Sequence, residues 1–146
     1  MSNFYVKYAT TNDAVVIEKI DSEYNFERYS HANIFSSLSD KNTINLIAYD
    51  DNIAIGYISV NYIFDEANLL KIVVSKHYRN RGVGTLLVNN IIDELKVLGI
   101  KNLLLEVRQD NKVAIDFYSK FGFKKIHERQ KYYNDGETAD ILLCLL

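Results

Sequence analysis

From Phe4 to Ala9 apolar and polar positions alternate, and that period of two predicts a strand. Thr11-Asn12-Asp13 then offers helix N-cap chemistry, and Ala14, Ile17, Ile20 and Tyr24 follow at helical spacing. A short second helix carries Ile34, Phe35 and Leu38. Ile44 to Tyr49 reads as a strand, Asp51-Asn52 as a turn, and Ile53 to Phe64 as a long strand rich in β-branched and aromatic residues. Leu69 to Val74 is nearly continuous in apolar residues, the pattern of a strand covered on both faces. The period then lengthens. Val83, Leu86, Leu87, Ile91, Leu95 and Leu98 share one helical face, with Gly99 as the stop. Leu103 to Val107 is a further buried strand. Asp110-Asn111 opens a helix carrying Val113, Ala114, Phe117, Tyr118 and Phe121, closed by Gly122. Phe123 to His127 and Ala139 to Leu145 are the last strands, with the turn Asn134-Asp135-Gly136 between them.

This order predicts a single α/β (α+β) domain over residues 1–146, with about seven strands in one sheet and about four helices. The piece from Leu69 to Val107 predicts a right-handed crossover between parallel strands. The 146 residues suffice for a core without staples. The single cysteine, Cys144, excludes an internal disulfide and a multi-cysteine zinc site and suits a reducing, cytoplasmic setting. No secretory leader and no membrane span is expected. The net charge of −2 argues against a chain-wide nucleic-acid footprint.

Charge is unevenly distributed. No acidic residue occurs from Ala67 to Ile92, a stretch that contains Lys71, Lys76, Arg79 and Arg81. Within it, Arg79-Asn80-Arg81-Gly82-Val83-Gly84 joins a strand to a strongly amphipathic helix. A helix N-terminus has unpaired N–H groups and a positive dipole end, and glycines let a phosphate approach them. A small polyphosphate ligand therefore suits this loop; the plainer reading is a turn with a solvated basic edge. A Rossmann loop fits poorly, since Leu87 stands where the third glycine belongs. A P-loop fails, since no Gly-Lys-Ser/Thr follows.

Arg79-x-x-Gly82-x-Gly84 at a strand-to-helix junction resembles the acetyl-CoA signature of the GNAT superfamily of N-acetyltransferases. Leu104-Leu105-Glu106-Val107-Arg108, Asn111, Ala114, Phe117-Tyr118, Phe121-Gly122-Phe123, the pair Tyr132-Tyr133, Asp135-Gly136 and Asp140 extend the likeness. Together with Asp65-Glu66-Ala67 they are similar to the RimI-type branch, which acetylates the N-terminal alanine of a ribosomal protein. Two features common there are absent. Tyr24-Asn25-Phe26-Glu27 replaces a Pro-Trp feature, and Ser75-Lys76-His77-Tyr78 replaces a proline-containing link. The resemblance implies a mixed, mostly antiparallel sheet. It implies that the backbone of Ile72, Val73 and Val74 pairs with the pantetheine arm of acetyl-CoA. The loop Asn80, Arg81, Gly82, Val83, Gly84, Thr85, entered through Arg79, would hold the pyrophosphate, and Asn111 would contact the cofactor. Glu106 matches the general base and Tyr118 the general acid.

Each of these residues also has a plainer reading. Glu106 could pair with Arg108 or lie at an exposed strand end. Tyr118 could be a core aromatic, Asn111 an N-cap, and Tyr132 and Tyr133 either an acceptor groove or the flank of a hairpin. His31, His77 and His127 lack metal-ligand spacing, so no metal is expected. Cys144 reads as a buried, inert thiol. The expected acceptor is a ribosomal-protein N-terminus. The alternatives are a small amine such as a polyamine or amino sugar, a non-catalytic acyl-CoA-binding module, or an RNA contact built on residues 76–81.

Overall fold

The computed structural model describes residues 3–24 and 29–146. Of the segment replacing the Pro-Trp feature, Asn25, Phe26 and Glu27 lie outside the described residues. Among the described residues seven strands run in chain order: β1 (Phe4–Tyr8), β2 (Thr43–Asp50), β3 (Ile53–Ile63), β4 (Glu66–Val74), β5 (Asn102–Arg108), β6 (Lys124–Arg129) and β7 (Ala139–Leu145). The helices are α1 (Ala14–Asp21), α2 (His31–Ser39), α3 (Val83–Val97) and α4 (Lys112–Ser119), as the periodicity predicts. The strands form one sheet in the order β1-β2-β3-β4-β5-β7-β6. β4 and β5 are parallel, while β1–β2, β2–β3, β5–β7 and β6–β7 are antiparallel. Contacts divide the chain into two compact units: one runs to Tyr62 and includes Leu69–Glu94, the other combines Ile63–Asn68 with Leu95–Leu146.

In the first unit, α1 and α2 contribute Ala14, Ile17, Ile20 and Ile34 to a core shared with Ile47, Tyr57 and Val73. Burying each such isoleucine contributes about 1.5–3 kcal/mol. α1 is entered through a one-turn 3₁₀ helix (Thr11–Asp13), with Thr10 as its N-cap, one residue earlier than expected. The Asp13 carboxylate accepts from the Thr10 backbone N–H at 2.8 Å.

β4 corrects two expectations. Its burial alternates, with Ala67, Leu69, Lys71 and Val73 buried and Leu70 exposed, so only one face is fully covered. Lys71 occupies a core position and does not belong to the basic surface. Its Nζ lies 2.6 Å from Asp21 Oδ1, with the two side chains 4% and 1% exposed. The Tyr57 hydroxyl donates to the same carboxylate oxygen at 2.6 Å, and the Tyr29 backbone N–H donates to the other at 2.6 Å. Lys71 Nζ also stands over the rings of Tyr24 and Tyr29, at 4.5 and 4.0 Å from their centroids. Burial, and secondarily the bond to Asp21, hold the Tyr57 phenol far above its usual range.

Gly56 on β3 is where the sheet admits α3. A Cβ there would stand 2.9 Å from the Val73 carbonyl oxygen, 3.3 Å from Val83 Cγ1 and 3.4 Å from Leu87 Cδ1. Gly56→Ala is therefore expected to cost about 1–3 kcal/mol, the usual range for overpacking. The β4 backbone or α3 must yield, so chemical denaturation should show a lower midpoint. An unchanged midpoint would mean that β4 moves away freely.

Candidate functional site

The glycine loop begins where β4 ends at Val74, so Ile72, Val73 and Val74 are the last residues of that strand. A 3₁₀ turn over Lys76–Tyr78 leads to Arg79, and α3 starts at Val83. Asn80 and Gly82 take positive φ angles of 60° and 84°. Gly82 does so without Cβ strain, and asparagine is among the few other residues that tolerate that region. The Leu86 N–H donates to the Gly82 carbonyl at 3.0 Å, the first bond of the helical ladder. The N–H groups of Val83, Gly84 and Thr85 belong to the set an α-helix leaves without an internal acceptor.

The two arginine side chains of the loop turn toward their own unit. Arg79 Nε donates to the Val74 carbonyl at 3.1 Å, and its terminal nitrogen to the Glu23 carbonyl at 3.4 Å. The Lys76 backbone N–H donates to the Glu23 carboxylate at 3.2 Å. The Arg81 guanidinium lies 4.9 Å from the Tyr78 ring centroid and 5.4 Å from that of Phe4. The Tyr78 hydroxyl donates to Asp50 at 3.0 Å, which raises its pKa. Two arginines thus buttress a turn whose amide groups gather at a positive helix end. These features fit an anionic phosphate group.

The second unit carries the other candidates. Glu106 lies on β5, cross-strand from Ile141 of β7, which in turn faces His127 of β6. Its side chain is 36% exposed. It does not pair with Arg108; its carboxylate faces Arg129 on β6, with Oε1 3.6 Å from a terminal guanidinium nitrogen. Arg108 instead grips two other carboxylates. It donates to Asp110 at 3.1 and 3.2 Å and to Asp135 at 3.3 and 2.7 Å. These bonds raise the Arg108 pKa and hold the Asp135 carboxyl below its usual range.

The two arginines also flank the twin tyrosines. Arg129 lies over Tyr132 at 5.3 Å and Arg108 over Tyr133 at 4.9 Å. The two rings meet edge to face at 5.2 Å. A chain of contacts therefore runs from Glu106 through Arg129, Tyr132, Tyr133 and Arg108 to Asp135. Arg129, a residue the sequence reading did not single out, links Tyr132 to Glu106.

α4 is capped by Asn111, whose Oδ1 accepts from the Ala114 N–H at 3.1 Å. Tyr118, at the other end of that helix, is buried and packs edge-on against Phe117 and Phe123 at 5.2 and 5.5 Å. Cys144 is buried, and that burial pushes its thiol upward. Among the described residues no group of three or more His, Cys, Asp or Glu could hold a metal ion, and His31 faces Glu18 at 2.9 Å. Among them, too, no helix is long and apolar enough to cross a membrane.

The chain is similar to known proteins over most of its length. Residues 11–123 match the family model described as Acetyltransferase (GNAT) family. The chain is 30% identical over 133 residues to the [ribosomal protein bS18]-alanine N-acetyltransferase of Escherichia coli K12, covering 86% of this chain and 90% of that one. It is 33% identical over 141 residues to the enzyme of the same name from Haemophilus influenzae, covering 89% and 96%. The crystal structure of the ribosomal-protein-S18-alanine N-acetyltransferase from Escherichia coli superimposes with a TM-score of 0.90 at 28% identity, covering 97% of this chain and 93% of that one. With a family match that runs over most of the chain and includes β2 to β5, the glycine loop and α3, this chain belongs to the GNAT acetyltransferase family.

Proposed function

We propose that residues 1–146 act as one acetyl-CoA-dependent N-acetyltransferase domain in a reducing cytosol, transferring acetyl to the N-terminal α-amine of alanine on a ribosomal protein. The observation that carries the acceptor assignment is the similarity, over most of both chains, to two alanine N-acetyltransferases of ribosomal protein bS18.

Acetyl-CoA, when bound, supplies an acetyl thioester; the protein must hold it, free the acceptor amine and protonate the departing sulfur. The amide groups of residues 80–85 hold the pyrophosphate, with Arg79 and Arg81 shaping the loop. The backbone of Ile72, Val73 and Val74 pairs with the pantetheine arm, and Asn111 contacts the cofactor. Asn111 can do so while its Oδ1 caps α4, since its amide nitrogen is a separate donor.

Glu106 takes a proton from the acceptor ammonium. An α-amine has a pKa of about 7.7–8.0 and a lysine amine about 10.4, so near pH 7 deprotonation costs roughly 1 kcal/mol for the former and 4–5 for the latter. A carboxylate base therefore suits an α-amine. Tyr118 delivers the proton that the leaving thiolate needs. Cys144 is buried, with its thiol pushed upward, which favours direct attack by the amine in a ternary complex over an acyl-enzyme.

The test is to mix the protein with acetyl-CoA and a peptide beginning at the alanine terminus of ribosomal protein bS18, following peptide mass and free thiol together. An N-terminally blocked copy and a panel of small amines run beside it. Acetylation of the free-terminus peptide alone is expected. Thiol release by a small amine without peptide acetylation would overturn the acceptor assignment and leave the acetyltransferase.

A further inference from the structure

We propose that Arg129 is a specificity-determining residue that selects α-aminoacyl acceptors over simple alkyl amines, by holding the carbonyl oxygen next to the reacting nitrogen. The inference rests on Glu106 receiving the acceptor's α-amine, and it names the feature of the acceptor that the same site reads.

The argument starts from the spacing of the two groups. Glu106 Oε1 and the Arg129 nitrogen stand 3.6 Å apart, a hydrogen-bond acceptor beside a donor. A peptide N-terminus presents the complementary pair. Its ammonium donates and its first carbonyl oxygen accepts, and the covalent N–Cα–C=O path keeps the two about 3 Å apart. An ammonium on Glu106 therefore brings that carbonyl oxygen within reach of Arg129, closing a four-cornered set of contacts. A polyamine or a lysine side chain has methylene groups where the α-amine has a carbonyl, and Arg129 has nothing there to hold.

Arg129 suits this role in capacity and placement. Its side chain is 53% exposed, and a guanidinium has five N–H donors, more than one contact to Glu106 consumes. Its head is oriented by Tyr132, which is backed by Tyr133, and Tyr133 in turn lies under Arg108. Arg108 is fastened to Asp135 beyond the twin tyrosines and to Asp110 before α4. The selecting group is thus held in advance by a row in which two guanidinium groups flank two rings, which lowers the cost of ordering it on binding.

The test compares two acceptors on three enzymes. One acceptor is the alanine-initiated peptide; the other has an (E)-alkene in place of its first peptide bond, which keeps the shape and removes the carbonyl. The enzymes are the wild type, Arg129→Met and Arg129→Lys. The wild type is expected to prefer the peptide by roughly 10–100-fold in kcat/KM, mainly through KM, the range for one hydrogen bond to a charged group. Relative to the wild type, Arg129→Met should lower that preference by roughly 10–100-fold and Arg129→Lys by less. Any difference in amine basicity between the acceptors is common to all three enzymes and cancels. A preference equal in Arg129→Met and the wild type overturns the inference while leaving the α-amine assignment intact. A wild type that acetylates neither acceptor overturns that assignment, and the inference falls with it.

Discussion

Glu106→Gln is expected to lower the rate of acetyl transfer to an α-amine by roughly 10²–10⁴-fold, the span associated with a positioned general base. Affinity for acetyl-CoA and the melting temperature should stay near their wild-type values. The substitution conserves volume, and the amide oxygen of glutamine can still accept from Arg129. Glu106 also lies on an exposed face, where substitutions usually shift stability by no more than about 0.5 kcal/mol. What disappears is the ability to take a proton.

This makes a further observable. The variant depends on acceptor molecules that have already lost their proton, a fraction that rises about tenfold between pH 7 and pH 9 for an amine of pKa about 8. Its defect should shrink across that interval by a similar factor. Single-turnover rates at several pH values, with cofactor affinity measured by calorimetry, provide the check. A rate equal to wild type at pH 7 would remove Glu106 from the role of base. A loss that tracks weakened cofactor binding would make it a binding residue instead.

Local patterns in the sequence carried over into the structure; features set by distant pairing did not. Asn111 as the cap of α4 and the change of period at Val83 depend on residues within a few positions of one another, and both are where the pattern puts them. Lys71 is different. Within Leu69–Val74 it reads as a charge on an apolar strand, and its partner Asp21 lies on another element fifty positions earlier.

Arg129 eluded the sequence for a geometric reason. The β6–β7 register slips between Lys125 and His127. Counting forward from Lys124 without that slip would set Glu128 opposite Ala139 and turn Arg129 to the other face. The irregularity instead pairs Arg129 with Ala139, in the same row as Arg108. One extra residue in a strand reverses every side chain beyond it, and nothing in Lys124–Arg129 announces it. The alternative partner for Glu106 failed similarly. Arg108 is two residues away on the same strand, but the turn at Asp135 brings a second carboxylate that captures it.

The largest effect on stability is expected at Asp21. Removing one partner of a buried ion pair costs about 3–5 kcal/mol, a large share of the roughly 5–15 kcal/mol that holds a domain folded. The two partners are not equivalent. Asp21→Ala removes the acceptor for three groups together: the Lys71 ammonium, the Tyr57 hydroxyl and the Tyr29 backbone N–H. Lys71→Met removes a single donor. Asp21 then keeps the other two, and the methionine fills much of the space beside Tyr24 and Tyr29 that the lysine stem occupied. Asp21→Ala is therefore expected to reach the full 3–5 kcal/mol and Lys71→Met to cost less. The double variant should fall short of the sum, because once Asp21 is gone the ion pair cannot be lost twice. Urea denaturation of the four proteins gives all three differences. Equal losses in the two single variants would mean that the ion pair alone stabilises this core. A larger loss at Lys71 than at Asp21 would show that the carboxylate does not organise the surrounding donors.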